Sequence, residues 1–207
     1  MKENYELRQE ARDSLKYKWD MAVGTMFVYF VVVSVIQFIP DLGPIISLIV
    51  SGPFALGLSI FSLTLSRGEN AQLKQVFDGF YNFGNSLAVY LLILVFVLLW
   101  MLLLIIPGII YAIAYSQSFY ILADNPNIDP MQAIKESRFM MNGYKWKYFF
   151  LQLSFIGWAI LCLFTLGIGF LWLGPYIQIT NAKFYDDLKK NQIINNTNDL
   201  SEYSQNS

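Results

Sequence analysis

Apolar residues form long uninterrupted stretches along this chain, and the charged residues lie in the segments between them. Four windows contain no Asp, Glu, Lys or Arg, namely 21–40, 42–66, 79–123 and 148–182. A helix of about 20 apolar residues crosses a bilayer core about 30 Å thick, so each window is long enough for one or two crossings. The pattern therefore predicts an all-α, polytopic membrane protein.

Proline and glycine divide the two longest windows. One straight helix over 79–123 would be roughly 68 Å long, so we expect a turn at Pro107-Gly108, and similarly at 167–169 and at 40–44. Six spans in three helical hairpins result, within a single membrane domain over 1–187 that is followed by a polar, disordered cytoplasmic tail at 188–207. The predicted spans are about 21–39, 45–65, 86–106, 108–123, 148–166 and 169–185.

The basic residues predict the orientation of these spans. All 14 lie in 1–20, 67–85, 124–147 and 183–207, and none lies in the three short turns. Because Lys and Arg accumulate on the cytoplasmic side of a membrane, both termini and the two long connections are predicted to be cytoplasmic. Residues 1–20 alternate in charge sign, which does not fit a cleavable signal peptide.

Each hairpin is preceded by a segment that the pattern predicts to be an amphipathic cytoplasmic helix. The first and third hairpins also share a motif, Tyr17-Lys18-Trp19 and Tyr144-Lys145-Trp146, which indicates an internal repeat unless the match is a coincidence. The apolar stripes of these helices suit either the headgroup layer of the membrane or the docking of a cytoplasmic partner. The predicted interfacial anchors are Trp19, Lys16, Lys18, Arg138, Lys145, Trp146 and Lys147.

The composition excludes most catalytic chemistry. The chain has no histidine, one cysteine (Cys162), and 14 basic against 15 acidic residues. Histidine-based catalysis and most zinc sites are therefore excluded, and the near-zero net charge gives no reason to expect nucleic-acid binding. Cys162 lies in an apolar segment, where a thiol is usually inert. We expect a protein that is not an enzyme and has no cofactor or metal.

One polar group within the predicted spans is a candidate site, formed by Tyr115, Ser116, Gln117, Gln178 and Asn181. These residues either form hydrogen bonds between helices or line a small polar cavity that is open to the cytoplasm. Two acidic features are interpreted more simply. Asp124 is taken as a helix stop, and Asp186-Asp187 as a solvated helix end.

Several motifs together resemble an uncharacterised bacterial membrane family, the domain of unknown function nine-seven-five. The resemblance implies a six-span protein of the bacterial cytoplasmic membrane and supplies no catalytic residues. A more distant similarity, of architecture alone, is to the non-catalytic membrane domain of some glycerophosphodiester phosphodiesterases. The motifs that carry the resemblance are Leu7-Arg8, Ala11-Arg12, Lys18-Trp19, Leu99-Trp100, Pro107-Gly108, Asp124-Asn125-Pro126, Ser137-Arg138, Lys145-Trp146, Gly157-Trp158, Gly167-Ile168-Gly169 and Gly174-Pro175-Tyr176.

Three functional hypotheses remain open. The first is a non-enzymatic scaffold or accessory subunit in envelope or lipid-related processes, whose partners are the lipid bilayer and either a second copy or another membrane protein. The second is a facilitator for a neutral or amphipathic small molecule, through the polar group described above. The third is self-protection against membrane-active peptides.

Overall fold

The computed structural model describes the backbone of residues 1–205 and the side chains of residues 1–194. Helices joined by short connections make up this part of the chain. In chain order they are α1 (Asn4–Leu15), α2 (Trp19–Gln37), α3 (Gly43–Ser66), a 3₁₀ helix (Leu73–Asn82), α4 (Phe83–Leu103), α5 (Ile105–Ala114), α6 (Ser118–Asp124), α7 (Pro130–Met140), α8 (Lys145–Phe164) and α9 (Phe170–Gln205).

Five helical segments of the described chain are long and apolar enough to cross a membrane. They are Trp19–Gln37, Gly43–Ser66, Leu73–Leu103, Ile105–Asp124 and Lys145–Phe164. The sixth predicted span, 169–185, is not among them. Its helix starts at Phe170, and the charges of Lys183 and Asp186-Asp187 fall within the next 18 residues, so its apolar part is short.

The helices that run back towards the charged side are more deeply buried than the helices that precede them. Half of the residues in the apolar stretch of α3 are buried, and 44% in the stretch covering α5 and α6. The corresponding share is only 17% in α2, 11% in the stretch that ends with α4, and 17% in α8. The inner bundle is thus built mainly from α3, α6 and the buried side of α9, while α2, α4 and α8 have few buried residues, as does α5, in which only Gly108 and Ala114 are buried.

The turn between α4 and α5 is not where the sequence predicts it. The chain reverses at Leu104, which has an extended backbone, and α5 starts at Ile105 so that Pro107 lies in its first turn. Proline is tolerated there because the first N–H groups of a helix have no intrahelical acceptor. Gly108 packs against α4, where an added Cβ would lie 2.4 Å from Cγ of Met101.

The helix predicted at 108–123 is also divided, because α5 ends at Ala114 and α6 starts at Ser118. A side chain from α7 bridges the break. The Ser137 hydroxyl donates to the carbonyl of Ala114 (2.8 Å) and accepts the N–H of Gln117 (3.1 Å). This hydroxyl satisfies backbone groups that an uninterrupted helix would pair internally.

The segments predicted as amphipathic helices bury their apolar residues against the protein itself. Leu7, Ala11 and Leu15 of α1 are fully buried, and α1 packs against α3 and α9. The 3₁₀ helix packs against α3 so closely that a Cβ at Gly79 would lie 1.9 Å from the carbonyl oxygen of Pro53. The apolar stripes therefore contact neighbouring helices of the bundle.

The end of α9 differs from the predicted disordered tail. The described backbone of residues 188–205 is helical, in continuation of α9. Its first residues pack on the rest of the protein, because Leu188 is fully buried and Lys189 forms an ion pair with Asp124. These contacts extend the ordered part of the helix beyond the predicted end at 185.

Candidate functional site

The five residues of the predicted polar group form separate contacts with different partners. Ser116 and Gln117 lie in the turn between α5 and α6, where the amide Nε2 of Gln117 donates to the Ser116 hydroxyl at 2.8 Å. Gln117 is fully buried, and its Oε1 has no hydrogen-bond partner. Tyr115 instead packs its ring against Phe96 and Tyr111.

The other two members of the group lie on α9 and join it to other helices. Tyr120 of α6 donates its hydroxyl to Gln178, to the carbonyl oxygen and to Oε1, each at 3.2 Å. Gln152 of α8 donates its amide to Oδ1 of Asn181 at 2.7 Å. In the part of the chain that the structure describes, no hydrogen bond joins Tyr115, Ser116 or Gln117 directly to these two residues.

The buried tyrosine Tyr148 of α8 lies between the two sets, beside the side chains of Ser116 and Gln152. A row of polar groups thus leads from Gln117 through Ser116, Tyr148 and Gln152 to Asn181. Contacts of this kind between helices hold them together in an apolar surrounding. The row contains three of the five predicted residues, Ser116, Gln117 and Asn181, whereas Tyr115 packs on aromatic rings and Gln178 pairs with Tyr120. The five residues are not gathered around one space.

A second site, which the sequence did not predict, is a cluster of four charged side chains where the ends of α3 and α6 meet the side of α9. Arg67 follows α3, Asp124 ends α6, and Asp186 and Lys189 lie on α9. The guanidinium of Arg67 donates to both oxygens of Asp124, at 2.8 and 3.1 Å, and its Nη2 donates to Oδ1 of Asp186 at 2.7 Å. Lys189 pairs with Oδ2 of Asp124 at 2.6 Å.

The cluster contains two positive and two negative side chains and is therefore neutral overall. The hydrogen bonds from Arg67 to Asp124 and Asp186, together with the attraction of the two carboxylates, raise the pKa of Arg67 above its usual value. The Tyr185 hydroxyl donates a further bond to Oδ2 of Asp124 at 3.1 Å. With three donors around it, Asp124 is a structural connection between α3, α6 and α9.

The N-terminal segment reaches the same face of the protein. The backbone N–H of Lys2 donates to Oδ2 of Asp187 at 2.8 Å. Nearby, the Lys183 ammonium of α9 donates to the carbonyl of Ser66 at the end of α3. Asp187 is buried, so the interpretation of Asp186-Asp187 as a solvated helix end is wrong. Asp124 does end a helix, but it is also the centre of the charged cluster.

The charged cluster had only a weak signal in the sequence. Arg67 and Asp124 are 57 positions apart, and Arg67 and Asp186 are 119 apart. The available signal was that each charge follows a buried returning helix closely, on the side where the basic residues accumulate. In the described residues no group of three His, Cys, Asp or Glu side chains is arranged to hold a metal ion.

The predicted interfacial anchors occupy varied surroundings. Trp146 is exposed and packs on Phe149 and Phe150, whereas Trp19 packs partly into the cluster around α1. Lys18 donates to the carbonyl of Glu69. Lys16 lies over the ring of Tyr17, and Arg138 lies over the ring of Tyr111. Lys145 lines an apolar cavity next to α5, and the backbone carbonyl of Lys147 accepts a hydrogen bond from the Asn4 amide.

The sequence matches one protein family over most of its length. The family is described as "Protein of unknown function (DUF975)", and the match covers residues 1–113 and 101–192. The chain belongs to this family. No curated protein and no solved structure matches the chain. Membership agrees with the resemblance found from the motifs, and a family of unknown function adds no activity to the site.

Proposed function

We propose that this protein is a non-enzymatic, six-span protein of the bacterial cytoplasmic membrane that acts as a scaffold or accessory subunit in envelope or lipid-related processes. Both termini lie in the cytoplasm. The observation that carries the proposal is the charged cluster, in which Asp124 joins α3, α6 and α9 and has its charge neutralised by the protein's own side chains.

The sixth crossing is supported by contacts between the two ends of the chain. α1 precedes the first span, and it packs along α9, with the Lys2 N–H on Asp187 and the Tyr176 hydroxyl 3.4 Å from the carbonyl of Arg8. Five segments capable of spanning lie between α1 and α9. An odd number of crossings would leave α1 and the end of the last span on opposite sides, and the contacts between α1 and α9 therefore support a crossing by α9 as well.

The orientation of the six spans follows from the charges. The turns 38–42 and 165–169 and the reversal at Leu104 contain no Lys or Arg, whereas Arg67 and Lys189 meet at the opposite face. The face with the basic residues is the cytoplasmic one by the distribution that membrane proteins follow.

A scaffold role explains how the polar and apolar groups are used. The buried polar side chains are engaged in contacts between helices, such as Tyr120 with Gln178 and Gln152 with Asn181. The outer surfaces of α4 and α8 expose large apolar side chains, including Leu102 and Phe164. Such surfaces contact either lipid or another membrane protein.

Photo-crosslinking in native membranes tests this proposal. A photoreactive residue at Leu102, whose side chain is 81% exposed, is expected to capture a second copy or another membrane protein at a defined mass. The matched control is the same residue at Leu122, which is fully buried and should capture no partner. Affinity purification should recover the same partner in a fixed ratio, whereas a protein that crosslinks only to lipid and purifies as a monomer would contradict a scaffold role.

The facilitator hypothesis has less support, because the five polar residues do not surround one space. Flux through reconstituted protein, compared between the unaltered chain and the variant Gln117→Leu with Gln178→Leu, tests it directly. The scaffold proposal expects no flux that depends on these two side chains.

A further inference from the structure

A cavity of about 460 Å³ lies between α1, α2, α8 and α9, and its two ends have different chemistry. Arg8 and Arg12 of α1 line one end. The other end is reached along tryptophan and aliphatic side chains, as far as the turn between α8 and α9. The apolar part of the lining comprises Trp19, Trp158, Cys162, Gly169, Trp172 and Leu173, with Tyr176 between the two parts.

The two arginines lie on one face of α1, four positions apart, and both are close to Tyr176. Among the described residues neither forms an ion pair, in contrast to Arg67, which has two carboxylate partners. The Nε of Arg8 is buried and has no hydrogen-bond partner. A buried donor without an acceptor is uncommon in proteins, and an acceptor from outside the chain would satisfy it.

We propose that this cavity binds one anionic phospholipid, with its phosphate on Arg8 and Arg12 and an acyl chain along Trp158 and Trp172. The guanidinium group is suited to phosphate because its N–H donors form two parallel bonds to two phosphate oxygens. This inference goes beyond the proposed scaffold function and does not depend on it.

The shape of the cavity favours a lipid over a free anion. Trp158 and Trp172 expose about half of their surface on the helices that face outwards, so the apolar part of the cavity opens sideways. A lipid can enter by that route from the bilayer. Inorganic phosphate would occupy only the end with the arginines and would leave the apolar part unfilled.

The charges further favour a lipid with a net negative headgroup. Phosphatidylglycerol brings one negative charge to two unpaired cations, whereas the choline group of phosphatidylcholine would bring a third cation close to them. We therefore expect the site to select phosphatidylglycerol over phosphatidylcholine when both are supplied in the same detergent.

Native mass spectrometry of the purified full chain tests the proposal, with each of the two lipids titrated in turn. The unaltered protein should retain one phosphatidylglycerol at low lipid concentration and bind phosphatidylcholine at least tenfold more weakly. The variant Arg8→Gln with Arg12→Gln should lose this preference, with at least a tenfold weaker affinity for phosphatidylglycerol. The matched control Lys74→Gln with Lys135→Gln removes the same charge at two exposed lysines outside the cavity and should bind as the unaltered protein does.

Two further variants keep the test decisive if the Arg8→Gln, Arg12→Gln variant folds poorly. Arg8→Lys with Arg12→Lys retains both charges but loses the paired N–H groups, and we expect intermediate affinity. Trp172→Ala leaves the arginines in place and should weaken binding by shortening the apolar wall. Equal lipid retention in the Arg8→Gln, Arg12→Gln variant, or equal binding of both lipids, would overturn the proposal. So would full competition by inorganic phosphate, or a second copy of the chain crosslinked through Trp172.

Discussion

Neutralising Asp124 should destabilise the protein more than removing any other single charge of the cluster. Asp124→Asn keeps the shape of the side chain but loses the negative charge. It also places an amide N–H₂ group, which cannot accept a hydrogen bond, against the donors of the neighbouring side chains. In the structure the carboxylate accepts four hydrogen bonds, two from Arg67, one from Tyr185 and one from Lys189.

The magnitude follows from the burial of each partner. The side chain of Asp124 is 13% exposed, while Arg67 is 33% exposed and Lys189 is 48% exposed. We assign about 1.5 kcal/mol to the two Arg67 bonds and about 1 kcal/mol to the Tyr185 bond, and only about 0.5 kcal/mol to the exposed Lys189 pair. The sum of about 3 kcal/mol corresponds to a decrease in Tm of roughly 6–12 °C for a chain of this size.

The single native cysteine supplies the assay. Cys162 is only 8% exposed, so a thiol-reactive fluorophore labels it slowly in the folded protein and much faster as the protein unfolds, and the labelling rate against temperature gives Tm. The matched control is Asp41→Asn, in the turn between α2 and α3, which removes the same charge from a residue without an ion pair in the described chain. Asp41 has a positive φ, which asparagine tolerates well. Equal Tm values for the two variants would refute the assigned role of Asp124.

Two further pairs of substitutions test the packing of the 3₁₀ helix on α3 and the hydrogen bonds at the break between α5 and α6. Gly79→Ala should lower the free energy of unfolding by about 2 kcal/mol or more, because its Cβ would meet the Pro53 carbonyl, while Gly157→Ala in open space should be neutral or slightly stabilising. A Tm for Gly79→Ala equal to that of Gly157→Ala would argue against this close approach. Ser137→Ala should cost about 1–3 kcal/mol by leaving the buried Gln117 N–H unpaired, whereas Gln117→Leu should change stability by less than about 1 kcal/mol. The opposite order, measured by the same thiol labelling, would show that the Gln117 amide is the more important group.

Five of the six predicted spans correspond to helical segments that are long and apolar enough to cross a membrane, and they could be predicted because their signal is local. Charge-free stretches of 20 or more residues define α2, α3, α4 and α8 without reference to any other part of the chain. The turn near Pro107 was placed three residues too late, because proline fits the first turn of a helix as well as the residue after a helix end. Which of the two occurs depends on how α5 packs on α4.

The charged cluster and the row of polar groups depend on contacts between distant parts of the chain, which no local sequence pattern indicates. Arg67 meets Asp124 and Asp186 only because the ends of α3 and α6 pack against α9. For the polar group the residue types indicated contacts between helices, but not which side chains form them. Tyr120 and Gln152, which were not predicted, supply the bonds to Gln178 and Asn181.

Cysteine labelling in intact cells tests the central claim, that the chain crosses the membrane six times with both ends inside. In a Cys162→Ala background, single cysteines are placed at Lys16, at Ile168 in the turn between α8 and α9, and at Lys190 on α9, all of which are exposed. A membrane-impermeant maleimide should label Ile168→Cys in intact cells, and should label Lys16→Cys and Lys190→Cys only after permeabilisation. Labelling of Lys190→Cys from outside, with Lys16→Cys protected, would contradict the account, because α9 would then not return to the side of α1.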